Sequence, residues 1–240
     1  MVTFLVMKRF SFIFLVFCLP VTAAPALSLR VPTGAYESFR IKTDNIPQAE
    51  IAGWFLPAKA SAKGTIFLLH GYNNSKEYMV GWEWLRDKEN WNVIMIDFRE
   101  HGESSHSGHV STLGYYEIWD VKAAVDYADE KHLAKPYAIF GRSLGASTGL
   151  RWASQDPRIS AVFAVSPFKN AYLASKEILA DRLHIAALPS PFDLSPTFRK
   201  TLEQVDIPKA VAQRKDLRIW IMTGEFDAFL APEQYEILNA

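Results

Sequence analysis

Five short apolar runs, each closing at a polar or glycine-bearing loop, constrain this chain more than any other feature. They are TIFLL (residues 65–69), NVIMID (92–97), YAIF (137–140), AVFAV (161–165) and RIWIMT (218–223). Each run is continuously apolar rather than alternating, which is the pattern of strands buried on both faces of a parallel sheet. Residues 36–42 and 51–55 read as two further short strands, separated by turn residues at 44–47. Helical patterns fill the gaps. In YYEIWDVKAAVDYADEKH, Val121, Ala124, Val125 and Ala128 keep the spacing of one helix face. Strand and helix in alternation predict an α/β layer with helices on both faces of a mostly parallel sheet. Residues 167–216 break that rhythm with helical stretches and no strand, so they read as a small helical cap inserted over the sheet's carboxyl edge. Active sites of open α/β sheets lie at that edge.

The amino end has a separate character. From Met7 it offers the basic pair Lys8-Arg9, an apolar run over 10–19, and small residues around Ala24-Pro25-Ala26. That layout predicts a signal peptide over residues 1–26, and hence export to the periplasm or medium. The alternative is an N-terminal membrane anchor. The single cysteine, Cys18, lies inside this leader, so the mature chain (27–240) is expected to carry no disulfide and no thiol chemistry. With 26 basic and 26 acidic residues and no long run of like charge, nothing draws the chain toward nucleic acid.

Gly141-Arg142-Ser143-Leu144-Gly145 matches G-x-S-x-G, directly after the 137–140 strand and before a helix rich in small residues. A serine on a sharp strand-to-helix turn presents its hydroxyl free of its neighbours, so Ser143 is the candidate nucleophile. His70-Gly71-Tyr72 closes the 65–69 strand. There the backbone N–H of Tyr72 could form an oxyanion hole with the N–H of Leu144. His70 itself suits holding that turn in shape. In DFREHGESS (97–105) Glu100 stands where a glycine is expected, so the turn is expected to differ. His106 and His109 have no acidic or cysteine partner at ligand spacing, and no metal or other cofactor is expected. Asp227 follows the last strand in MTGEFD and is the candidate acid, ahead of Asp206 and Asp216, which precede that strand.

These motifs, with TLGYYEIWDVKAAVDYA and DPRISAVFAVSPF, resemble the α/β-hydrolase superfamily in its branch of small esterases and serine-aminopeptidase-like proteins. The resemblance runs from about residue 51 to 233. It implies the α/β-hydrolase fold, a metal-free mechanism, the chain order Ser…Asp…His, and a small-molecule ester, thioester or amide substrate. No histidine follows Asp227. The final strand, histidine loop and last helix of the fold are therefore expected to be absent, leaving residues 218–223 as an exposed apolar edge. His101, His106, His109 and His184 remain as stand-ins for the base. The reading is a serine hydrolase of ester bonds, carboxylesterase-like or aminopeptidase-like. The alternative is a degraded or non-catalytic protein of the same fold. Oligomeric state and substrate identity are not encoded in any motif.

Overall fold

The computed structural model of the chain describes residues 2–4, 30–108, 111–182 and 195–223. Among the described residues eight strands form one sheet: β1 (Val2–Phe4), β2 (Glu37–Lys42), β3 (Glu50–Leu56), β4 (Thr65–Leu69), β5 (Asn92–Ile96), β6 (Tyr137–Arg142), β7 (Ile159–Val165) and β8 (Arg218–Met222). Their spatial order is β1-β8-β7-β6-β4-β5-β3-β2. All neighbours from β1 to β5 pair in parallel, while β3 and β2 are antiparallel. The five apolar runs of the sequence are β4 to β8, and every residue of β4 and β5 is buried.

Helix α2 (Ile118–Glu130) buries Val121, Ala124, Val125 and Ala128 together, as its spacing predicts. Helix α3 (Leu144–Ala153) lies flat on β6 and β4, because Gly145 and Gly149 leave no side chain between helix and sheet. These helices and the sheet face beneath them enclose the larger core, around Phe67, Ile94, Ile139 and Val162. On the opposite face a 3₁₀ segment (Lys76–Trp82) and the short α1 (Trp84–Asp87) cover Leu68, Met95 and Phe140.

Within 167–216 the described residues form α4 (Ala171–Arg182), α5 (Pro196–Glu203) and α6 (Ile207–Val211). Leu202, Val205 and Ile207 are buried in the larger core, so the end of this insertion packs onto the body of the fold. Among the described residues no helix is long and apolar enough to cross a membrane.

One expectation needs correction. β8 is not the outermost strand: Val2–Phe4 lies parallel beside it, with Val2 opposite Ile219 and Phe4 opposite Ile221. A strand edge presents unpaired N–H and C=O groups that any extended segment can satisfy. Here three residues of the amino end do so.

Candidate active site

The turn from β6 into α3 holds Ser143 at φ 47°, ψ −111°, a conformation that side-chain-bearing residues rarely adopt. The glycines around it show why the turn can be so tight. A Cβ on Gly141 would collide with the backbone of Gly145 and Ala146, and one on Gly145 would collide with the Leu69 and His70 carbonyls. The Ser143 N–H donates to the Val165 carbonyl at 2.8 Å, and the Ser143 carbonyl accepts the first helical bond, from Ser147 at 3.0 Å. Ser143 therefore stands, partly exposed, at the amino end of a ten-residue helix. The helix's first N–H groups have no intrahelical acceptor, and its dipole favours negative charge there. Leu144 supplies the first of those N–H groups.

The turn after β4 meets this elbow. A Cβ on Gly71 would lie 3.7 Å from the Ser143 Cβ, in ordinary contact. His70 is fully buried at the strand end and bonds at both nitrogens. The Phe98 N–H donates to its Nε2 at 3.0 Å, so Nε2 carries the lone pair. Nδ1 then carries the proton and donates to the Gly71 carbonyl at 2.8 Å. Burial above all pushes the imidazole pKa down to about 4, with the nearby His101 adding to the shift. The same Gly71 carbonyl also accepts from the Asn74 N–H at 3.2 Å. Gly71 C=O and Tyr72 N–H belong to one planar peptide, so two donors clamping the oxygen also set the direction of the N–H. His70 thus works through the backbone, as its place in the sequence suggested.

The loop after β5 completes this edge. Glu100 adopts φ 61°, the left-handed conformation in which a glycine was expected. Glutamate is thus accommodated there at positive φ. Its carboxylate instead receives the Ser107 N–H at 3.0 Å and the Ser107 hydroxyl. Arg99 pairs with the buried Asp120 of α2, its Nη2 2.7 Å from Oδ1. Burial pushes the Asp120 carboxyl up to about 7 against the pull of that guanidinium. His101 Nδ1 lies 2.9 Å from the Arg99 carbonyl, and its ring sits 5.7 Å from that of Tyr72. His106 is exposed, with Nε2 3.0 Å from the Gly102 carbonyl.

The structure thus brings together Ser143, Leu144, Tyr72 and His70. Asp227, His109 and His184 lie outside the described residues. Of the other acids weighed for the same role, Asp206 caps α6 by accepting from the Lys209 N–H, and Asp216 pairs with Arg214 on the surface. Among the described residues no group of three or more His, Cys, Asp or Glu side chains could hold a metal.

Sequence reasoning passed over Lys76 and Asp97, which form a buried ion pair (Nζ to Oδ2, 2.7 Å) between the two loops beside Tyr72. A lysine in a polar stretch reads as solvated. The available signal was Asp97, an acid placed directly after the apolar run 93–96.

Comparison with known proteins places this geometry. In sequence, the chain is 31% identical over 134 residues to a probable alcohol acetyltransferase of Cyberlindnera jadinii. That match covers 51% of this chain and spans only about a third (36%) of the relative's length. In structure, it resembles an esterase of Pyrococcus furiosus with a TM-score of 0.65 and 24% identity, over 84% of this chain and 74% of that one. The esterase Est1E of Butyrivibrio proteoclasticus, solved with ferulic acid, gives a TM-score of 0.65 at 16% identity, over 82% and 83% of the two chains. Likeness at such identities speaks for the α/β-hydrolase fold alone. The family model for serine aminopeptidase, S33, matches residues 60–190, a stretch that holds β4, the Ser143 elbow and β7. The chain belongs to that hydrolase family.

Proposed function

We propose that the protein is a serine hydrolase of small ester substrates, with Ser143 as nucleophile. The observation that carries this reading is the Ser143 backbone at φ 47°, held between two glycines that admit no side chain. Strain of this kind costs on the order of 1–3 kcal/mol and persists where the surroundings enforce it, commonly at functional sites. In the proposed reaction the Ser143 Oγ attacks the ester carbonyl while a base takes its proton. The N–H groups of Tyr72 and Leu144 hold the resulting oxyanion, and collapse expels the alcohol after the base returns the proton. Water then attacks the acyl-enzyme along the same route and releases the acid. Asp227, just past β8, is the proposed orienting acid for that base.

The test is turnover of p-nitrophenyl acetate and butyrate, with fluorophosphonate labelling, by the protein as its host makes it. Serine-dependent turnover and labelling that both vanish in Ser143→Ala are expected. Labelling that survives in Ser143→Ala would move the nucleophile elsewhere. The absence of both in the parent protein would favour the non-catalytic reading. One observation favours a variant of the chemistry: the Cyberlindnera relative bears the name of an acetyltransferase. An acyl-enzyme partitions between water and alcohols, so added ethanol raising p-nitrophenol release and yielding ethyl ester would point to transfer.

We also propose export, from the Lys8-Arg9, apolar-run and small-residue layout. N-terminal sequencing of the native protein should find a start between Ala24 and Leu27, and an intact Met7 start would overturn this. Cleavage there would remove Val2–Phe4 along with the leader, taking from β8 the neighbour described above.

A further inference from the structure

We infer that Lys76 and Asp97 are a positioning pair for the oxyanion turn, acting through the backbone rather than on substrate. The inference rests on the reading of the Tyr72 N–H as an oxyanion donor. Lys76 is 1% exposed and Asp97 is 0% exposed. The Asp97 carboxylate is a hub at the end of β5. Its Oδ1 accepts the Lys76 backbone N–H at 2.7 Å, and its Oδ2 accepts both Lys76 Nζ at 2.7 Å and the Glu103 N–H at 2.9 Å. Lys76 Nζ also reaches the Glu103 side chain at 2.8 Å, and its ammonium sits 4.6 Å from the centre of the Trp54 ring. Gly102 has φ 53°, and a Cβ there would collide with the Asp97 carboxylate, so the second loop is shaped around this group.

The position of the pair gives it its use. Residues 70–76 leave β4, carry Tyr72, and are fastened to the loop after β5 at both ends. At one end the Phe98 N–H bonds His70, and at the other Lys76 bonds Asp97 by backbone and by side chain. Between these fastenings lies the Gly71–Asn74 turn that presents the donor. A pair this deeply buried is not explained by stability. Desolvation offsets much of the attraction, and well-packed apolar replacements of such pairs are often as stable. What an apolar pair cannot do is hold two backbone N–H groups from two loops at fixed points.

The test replaces both charges at once, in Lys76→Met/Asp97→Asn, so that no buried charge is left alone. Asparagine has one acceptor oxygen for the two N–H groups, and its amide is itself a donor, so the brace is weakened. The expected result is a folded protein with kcat for p-nitrophenyl butyrate down about 10–100-fold and KM within about 3-fold, since sub-ångström misplacement of a donor acts on the transition state. Fluorophosphonate labelling of Ser143 should slow in parallel. Glu103→Gln, which leaves the Lys76–Asp97 contact intact, should stay within about 2-fold of the parent. Parent-like kcat in the folded double variant would overturn the inference, as would equal losses in both variants. If the double variant does not fold, hydrogen exchange on the unaltered protein decides. The Lys76 amide should exchange as slowly as those of β4, and exchange as fast as the exposed loops would overturn the inference. Ser143→Ala run alongside separates the cases. If Ser143→Ala keeps parent activity, the serine-hydrolase reading has failed. If it is inactive while the double variant is unimpaired, only the positioning pair has failed.

Discussion

Among the turns at the carboxyl edge of the sheet that place a residue with a side chain at positive φ, those at Ser143 and Glu100 hold it by different means. At Ser143 the conformation is imposed by backbone packed on backbone, with Gly141, Gly145 and the end of β4 in contact. At Glu100, whose N–H donates to the Ser105 carbonyl at 2.9 Å, side chains add most of the fastening: the Glu100 carboxylate on Ser107, Arg99 on Asp120, and Asp97 on Glu103. Backbone packing fixes a geometry that pH and single polar substitutions leave alone. A side-chain scaffold can be loosened one group at a time. The difference suits the proposed nucleophile, held rigid, beside a loop whose task is support.

The largest break should come from the smallest addition. Gly145→Ala adds one methyl group and improves helix propensity by about 1 kcal/mol. Yet its Cβ meets the Leu69 carbonyl of the neighbouring strand, which cannot swing aside. A net loss of about 3 kcal/mol or more is expected in urea unfolding. An unchanged midpoint would mean that the elbow is looser than its packing says.

Next comes pH, which should act on the charged scaffold. His70 is held neutral with a pKa of about 4, below its unfolded value, so its contribution is present above pH 6.5 and is lost as pH falls through 4. Asp120 has the opposite sign. Its pKa is raised to about 7, so its contribution is full below pH 3.8 and is lost as pH rises through 7. Between pH 7 and 4 the two oppose each other. Asp120→Asn removes one of them and should steepen the acid loss of stability by on the order of 2 kcal/mol across that window. Parallel stability curves for parent and variant would remove Asp120 from the account.

Smaller effects separate the turns further. Ser143→Gly relieves the strained φ and should raise stability by about 1 kcal/mol while abolishing any serine-dependent turnover. Glu100→Gly relieves a similar φ but gives up the Ser107 bonds, and should stay within about 0.5 kcal/mol of the parent. A large gain at Glu100 would mean that its side chain holds nothing.

Much of this arrangement is legible in the residues. Continuous apolar runs mark β4 to β6 because strands covered on both faces cannot alternate, and they mark β7 and β8 too, although Phe163 and Met222 there are exposed. The G-x-S-x-G spacing marks the elbow because only glycine fits beside it. At Glu100 the residues say less, for a physical reason. A sequence shows that glutamate is a poor choice at positive φ, but it does not show Ser107 waiting to bind the carboxylate. Lys76 was invisible because burial of a charge depends on a partner 21 residues away. The 167–216 insertion reads as a cap, yet Leu202, Val205 and Ile207 join the main core. Helical spacing tells which residues share a face, not which surface that face will meet.

The conformation of Ser143 has a consequence for descent. If Ser143 is the nucleophile proposed above, the residue that favours folding and the residue that favours chemistry differ at this position, and use of the hydroxyl is what keeps serine in place. In a lineage where the activity had ceased to matter, drift would run toward glycine, because that change relieves the backbone and disturbs no neighbour. In this chain serine is still there. On the proposed reading, the residue at position 143 would record, in any descendant, whether the elbow is still being asked to react.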